Sequence, residues 1–314
     1  RAQGDVEAAT RYFLDAIAAD PDNPVLLQQG FALAINDGHY DEARQLAQRI
    51  IRFEPDNSLV RFFLVLGELK DGQYKTVNKD LATVPEAGLN KLVKPIVAAW
   101  GFAGEKKKDK ALAALKPLEE VPAFLPFALN HRAYILDYLD DPETEIAYKS
   151  VMGAEQFGSV RFVLAYAARL ARSGRDYEAR DVIRKGEERF EDSLSLTIAE
   201  KRLKAGTLSE RIIKTPAMGV AEAFYGSAMA LSQDGANGPA NFYLRLALYL
   251  EPDFQQANFM LGRILEDEQD YDGALKAYRA IPDGNEMKAD AELREVWLLQ
   301  NKGEDAAALA KLEA

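Results

Sequence analysis

Few residues in this chain could do bond-making chemistry. It has two histidines and no cysteine, so a thiolate nucleophile, a disulfide and a cysteine-ligated zinc site are all excluded. His39 follows Gly38 and reads as a solvated turn residue. His131 follows Asn130 on a stretch with Leu129, Ala133 and Leu136, and reads as a half-buried, hydrogen-bonded helix histidine. In a solenoid they would stand 92 positions apart, 131 minus 39, so they share no site. The carboxylate pairs Glu119-Glu120 and Asp140-Asp141 fit solvated helix ends better than an acid–base couple. Asp37-Gly38 and Asp71-Gly72 are turn chemistry, because the further ligands of a calcium loop are missing. There is no HExxH, GxSxG, phosphate loop or dinucleotide fingerprint. The one basic cluster, Glu105-Lys106-Lys107-Lys108-Asp109-Lys110, is expected in a turn, solvated or facing an acidic partner or lipid head group. No cofactor, no metal and no catalysis are expected.

The elements that carry these residues are helices. Asp253 to Pro282 contains two apolar stripes at helical spacing. Ala257, Leu261 and Leu265 form the first, and Ala274, Ala277, Tyr278 and Ile281 the second. Asp270-Tyr271-Asp272 turns the chain between them, and Pro282 ends the pair. The pattern recurs every 34 residues. Gly4, Gly38, Gly72, Lys106, Asp140 and Gly174 fall on one mark of this ruler, and Ala9, Ala43, Val77, Ala111, Glu145 and Ala179 on another. The glycine mark lets the chain turn with positive φ; the small residue after it sits where two helices cross. Each pair alone leaves its apolar stripe bare, so neighbours must stack into a quasi-one-dimensional array.

The register then slips. From Ala179 to Ala240 the interval is 61 residues, seven short of two repeats, after which Ala240, Ala274 and Ala308 resume the spacing of 34. The loss falls at 206–216, where a full second helix cannot fit. Expected divisions are 1–205 with about six units (86–154 degenerate), an irregular junction 206–216 plugged by Ile212 and Ile213, and 217–314 with about three units, the last truncated. Pro85 and Pro282 come four residues early, so their helices should be short. About 17 to 19 helices and no sheet are expected, with nearest-neighbour contacts only.

The Leu261-Gly262 pair followed by Ala274, Tyr278 and Pro282 resembles the tetratricopeptide repeat. The runs AQGDVEAATRYFLDAIAADPDNPVLL and FYLRLALYLEPDFQQANFMLGRILED are similar to exported proteins of that family from Gram-negative bacteria. The resemblance covers nearly the whole chain. It implies a right-handed α-α superhelical solenoid and a non-catalytic scaffold that holds a protein or peptide in its concave groove. It also implies a periplasmic location and a signal peptide outside the given residues; Arg1, lying inside a repeat turn, marks the chain as a fragment in this reading. Groove positions carried over from the family are Gln28, Asn36, Phe62, Trp100, Arg161, Tyr225, Met229, Phe259, Arg263, Asp267 and Trp297. The two tryptophans share one repeat position, as core residues or as exposed anchors. Two alternatives stand beside the scaffold: a carrier of a lipid or other apolar ligand, and the repeat portion of a larger enzyme or a secretion or envelope assembly.

Composition narrows the partner. With 50 acidic and 39 basic residues, a formal charge of -11, the surface on average repels nucleic acid. At 48% hydrophobic residues the chain can bury a large core, yet no apolar run reaches a membrane span.

Overall fold

The computed structural model describes residues 6–85, 90–153 and 158–313; the side chains of 6–11 and 14 lie outside the description, as do Gly4 and the side chain of Ala9 from the first repeat. Among the described residues there are eighteen helices and no strand. In chain order they are α1 (Val6–Ala19), α2 (Pro24–Asp37), α3 (Tyr40–Phe53), α4 (Ser58–Lys70), α5 (Tyr74–Leu81), α6 (Asn90–Gly104), α7 (Lys108–Glu119), α8 (Leu125–Tyr138) and α9 (Thr144–Met152). There follow α10 (Val160–Arg172), α11 (Asp176–Arg189), α12 (Leu194–Lys204), α13 (Pro216–Gln233), α14 (Asn237–Leu250), α15 (Gln255–Asp267), α16 (Tyr271–Arg279), α17 (Lys288–Asn301) and α18 (Asp305–Leu312). The fold is an all-α helical-repeat solenoid.

The 34-residue ruler is written into the backbone. Gly38, Gly72, Lys106, Asp140 and Gly174 all have positive φ, between 54° and 77°. Gly235, Gln269 and Gly303 continue the series with φ of 75°, 63° and 77°. At Gly38 the turn closes α2: the His39 N–H donates to Ala34 O at 2.8 Å and the Gly38 N–H to Ile35 O at 3.1 Å, which satisfies carbonyls the helix end would orphan. Lys106 and Asp140 hold this geometry without glycine, so the degenerate region 86–154 keeps the repeat turn although its sequence hides it. The crossing residues follow suit. Ala43, Val77, Ala111, Ala179, Ala240 and Ala274 are fully buried, and Ala308 nearly so. Glu145, the poor match, stays at the surface and pairs with Arg175, while its neighbour Thr144 is buried instead.

The early prolines shorten their helices as expected. α5 and α16 have 8 and 9 residues, against 14 in α3. Val84 and Ile281 then turn inward and are buried.

The residues divide into two compact units. One joins 1–68 with 224–314; the other is 69–223. In the second unit, α6 packs on α7, α8 on α9 and α10 on α11 as successive hairpins. Residues 205–215 of this unit carry no helix. Leu208 and Ile213 from that segment are buried, and Ile212 is half-buried. Arg211 donates to Tyr138 O at 3.3 Å and pairs with Asp140, so the segment is a strap fixed to the C-terminal end of α8, where a cation meets the negative end of the helix dipole. Beside it Asp137 is buried and accepts from Arg172 at 2.6 Å and from the Tyr148 hydroxyl at 3.3 Å, with Arg169 at 3.6 Å. Burial pushes the Asp137 carboxyl above its ordinary pKa, and the arginines oppose that.

In the first unit the nearest-neighbour expectation needs correction. α2 packs on α14 as well as on its sequence neighbours. The Tyr40 hydroxyl donates to Arg245 O at 2.8 Å across 205 residues of sequence. Tyr249 stacks on Phe63 with ring centroids 4.7 Å apart, and Lys276 Nζ donates to Asp37 O at 2.9 Å. Tyr249 is 3% exposed there, its ring covered by Phe63 and by Tyr40 at 5.2 Å.

Candidate partner-binding face

The residues proposed to line a groove lie on α2, α4, α6, α10, α13, α15 and α17. The structure sorts them into three groups, and the sorting is decided largely by α13.

In the second unit, the first two turns of α13 rest on α6 and α10. Trp100 of α6 is fully buried. Its Nε1 donates to His131 Nδ1 on α8 at 3.1 Å. Burial drives the His131 pKa down to about 3, so the ring is neutral and free to accept that proton. His131 is thus wholly interior, not half-buried. Gly219 of α13 lies flat on the indole: a β-carbon there would fall within 3.0 Å of Trp100 Cε2, Cζ2 and Cδ2. Only glycine permits that approach. Three residues on, Glu222 is 9% exposed and accepts from Arg161 Nε of α10 at 2.6 Å, with a further bond from Nη2. A carboxylate this deep needs such a partner, since unpaired it would cost several kcal/mol. Val220 and Ala221 between them are fully buried.

In the first unit, Phe62 of α4 is buried and meets Phe224 of α13 edge-on at 6.2 Å. Phe62 and Trp100 therefore pack the interior and offer nothing to a partner, and Arg161 is spent on Glu222. This corrects the expectation for the first two and reassigns the third.

A second group is half-buried. Tyr225 packs on Phe254 at 5.0 Å, Phe259 on Tyr278 at 5.6 Å under the Arg294 guanidinium, and Met229 lies between such contacts and solvent. Gln28, Asn36, Arg263 and Asp267 are exposed, Gln28 donating to Glu54 at 2.5 Å. Trp297 is 49% exposed.

Two models of the tetratricopeptide repeat match the chain, over residues 1–62 and 255–281. The chain carries tetratricopeptide repeats over these two stretches. It is similar to a solved tetratricopeptide repeat protein from Parabacteroides merdae, at 14% identity and a TM-score of 0.39, over 85% of this chain and 96% of that one. It is also similar to a chain in the structure of Naa15/Naa10 bound to HypK-THB, at 15% identity and a TM-score of 0.37; there 99% of this chain spans 61% of the other's length. No curated protein matches it.

Within the tetratricopeptide-repeat register, Trp100 and Trp297 each stand six residues before a left-handed turn residue, 106 minus 100 and 303 minus 297. Arg263 holds the same place before Gln269. One position thus carries a tryptophan covered by a helix of the same chain, a half-exposed tryptophan and an exposed arginine. The lysine cluster is used internally. Lys108 pairs with Asp141 at 2.8 Å and Glu143 at 2.9 Å, and Lys106 sits 4.0 Å from the centre of the Tyr138 ring. Among the described residues no three His, Asp or Glu side chains gather as a metal site, and no helix is long and apolar enough to cross a membrane.

Sequence reasoning missed Gly219, Glu222 and Asp137. The signals were present for the first two: α13 runs 18 residues where α15 has 13, and small residues at 217, 219, 221 and 223 surround one acid. Asp137 gave no signal, since its arginine partners come from two segments distant in sequence, α10 and the strap.

Proposed function

We propose that the chain is a non-catalytic helical-repeat scaffold that holds a helical segment of a protein partner against the inner positions of its C-terminal repeats. One observation carries this reading. The repeat position that in α6 places Trp100 beneath a helix is, in α17, a tryptophan left 49% exposed. A large apolar ring with a hydrogen-bonding edge, flanked in the register by Arg263 and Asp267, is the residue type that anchors protein interfaces. The non-catalytic part rests on the chemistry of the side chains: His131 is buried against Trp100, and Asp140 is committed to Arg211. In our reading the scaffold works in the periplasm, which a cysteine-free chain suits; protease protection in intact cells, lost on opening the outer membrane, tests that.

The binding test is capture of partners from the native host by the full chain and by a Trp297→Ala, Arg263→Glu variant. The variant should lose the partner while keeping the wild-type melting temperature. Undiminished capture would refute the site. Tyr225 and Phe259 make poorer test positions, because each also packs against another ring.

A further inference from the structure

In the C-terminal repeats α15 and α17 meet along a valley whose floor is fixed by ionic contacts. Arg294 Nη1 of α17 donates to both oxygens of Glu266 on α15, at 3.0 and 2.9 Å, and its guanidinium lies 5.9 Å from the centre of the Phe259 ring. The Tyr278 hydroxyl donates to the same carboxylate at 2.9 Å. Phe259, Glu266 and Arg294 thus mark the lines along which the two helices face each other. At 3.6 residues per turn, Arg263 and Asp267 stand roughly 50–90° to one side of the Phe259–Glu266 line. Leu293 and Trp297 stand roughly 60–100° from Arg294 in the opposite sense. α16 runs back between the two helices, so α15 and α17 point the same way, and opposite senses bring both columns to the same side of the contact.

One wall of the valley is therefore apolar and the other charged. Leu293 is 64% and Trp297 49% exposed. Arg263 and Asp267 are exposed, and neither forms an ion pair with the other or with another described residue. Base before acid is the less favourable order for a pair four residues apart on one helix. In both columns the two side chains stand one turn apart, about 5–6 Å. A strand would show such a surface one row of side chains, because alternate residues turn away. A helix shows two adjoining stripes with contacts at every turn, and so meets both walls at once.

We propose that this valley takes an amphipathic helix with an acid–base code. One stripe of the helix carries leucine-like residues for Leu293 and Trp297. Beside it stand a carboxylate and a cation one turn apart, set against Arg263 and Asp267. The apolar wall supplies affinity and the charged wall selects. It also sets direction, because a helix laid in reverse would put acid on acid and base on base. The inference rests on the reading of Trp297 as a partner anchor and adds the chemistry of what it anchors.

The test is selection, against the full chain, from a display library of amphipathic helices of about 21 residues, three heptads, with fixed leucines on one stripe and all other positions randomised. Selected helices should share a carboxylate and a lysine or arginine one turn apart. The Arg263→Glu chain should bind them roughly tenfold or more weakly, since a like-charge contact replaces a pair. Exchanging that carboxylate of the helix for lysine should restore binding to the variant. Arg263 is exposed and unpaired among the described residues, so its reversal leaves the fold intact. Selected helices that need Trp297 but lack the charge pair, or that bind the Arg263→Glu chain as tightly as wild type, overturn the inference and leave the anchor reading standing. No enrichment, or helices that bind a Trp297→Ala chain undiminished, overturns both.

Discussion

Gly219→Ala adds a single methyl group at the tightest helix approach in the second unit. Carbon atoms rest about 3.5–4 Å apart, yet the new methyl would lie within 3.0 Å of three indole carbons of Trp100. Trp100 has no room to retreat: it is 0% exposed, its Nε1 is bonded to His131, and Tyr138 meets its ring edge at 5.8 Å. Overpacking of this kind costs about 1–3 kcal/mol. A loosened indole N–H bond adds about 1 kcal/mol. The helix propensity gained by replacing glycine with alanine returns about 1 kcal/mol. The net expectation is a loss of about 1–3 kcal/mol, or roughly 2–12 °C in melting temperature for a unit of this size. Calorimetry with urea titration reads it. Gly238→Ala is the control, since a β-carbon there meets nothing within 4 Å and its φ is ordinary; it should be neutral or slightly stabilising. Trp100→Phe removes part of the indole, so the double variant should lose less than the two single losses added together. Strict additivity, or a Gly219→Ala protein that melts with wild type, would refute the seating of α13 on Trp100.

Gly174→Ala should cost about 1–2 kcal/mol purely through backbone strain, because φ is 71° and nothing lies within 4 Å of the added carbon; an unchanged urea midpoint would count against the turn geometry. Trp297→Ala should change stability by no more than about 0.5–1 kcal/mol, whereas Trp100→Ala should cost about 3–5 kcal/mol; similar losses would mean the two environments are alike after all. His131 has its folded pKa depressed from 6.5 to about 3 by burial. The unfolded chain therefore binds the extra proton, so the stability held above pH 6.5 is lost as pH falls toward 3, at up to about 1.4 kcal/mol per pH unit. His131→Gln, which keeps an acceptor for Trp100, should flatten that part of the stability–pH curve; an unchanged slope would show that His131 is not the group responsible.

The repeat itself was legible in the residues, because everything it requires is local. A left-handed turn residue at 38, 72 and 174, a small residue at 43, 111, 179, 240 and 274, and prolines at 85 and 282 each act within a few positions of where they stand. Even the seven-residue deficit had a local cause in Thr207, Thr215 and Pro216, which favour strap over helix. The candidate site was half legible. The register named the face on which Phe62, Trp100, Arg161 and Trp297 stand, but not what would come to lie against it. Trp100 and Trp297 show the limit. They are one residue type at one repeat position, yet one is sealed and the other is 49% exposed. The difference is a glycine 119 positions downstream of Trp100, 219 minus 100, and an acid that finds Arg161 across 61 positions. Repeat periodicity fixes contacts between sequence neighbours. It says nothing of contacts made across 61 or 119 positions of sequence. That is settled only when the folded chain brings Gly219 onto an indole with no room for a methyl group, and Glu222 to the half-buried Arg161 that neutralises it.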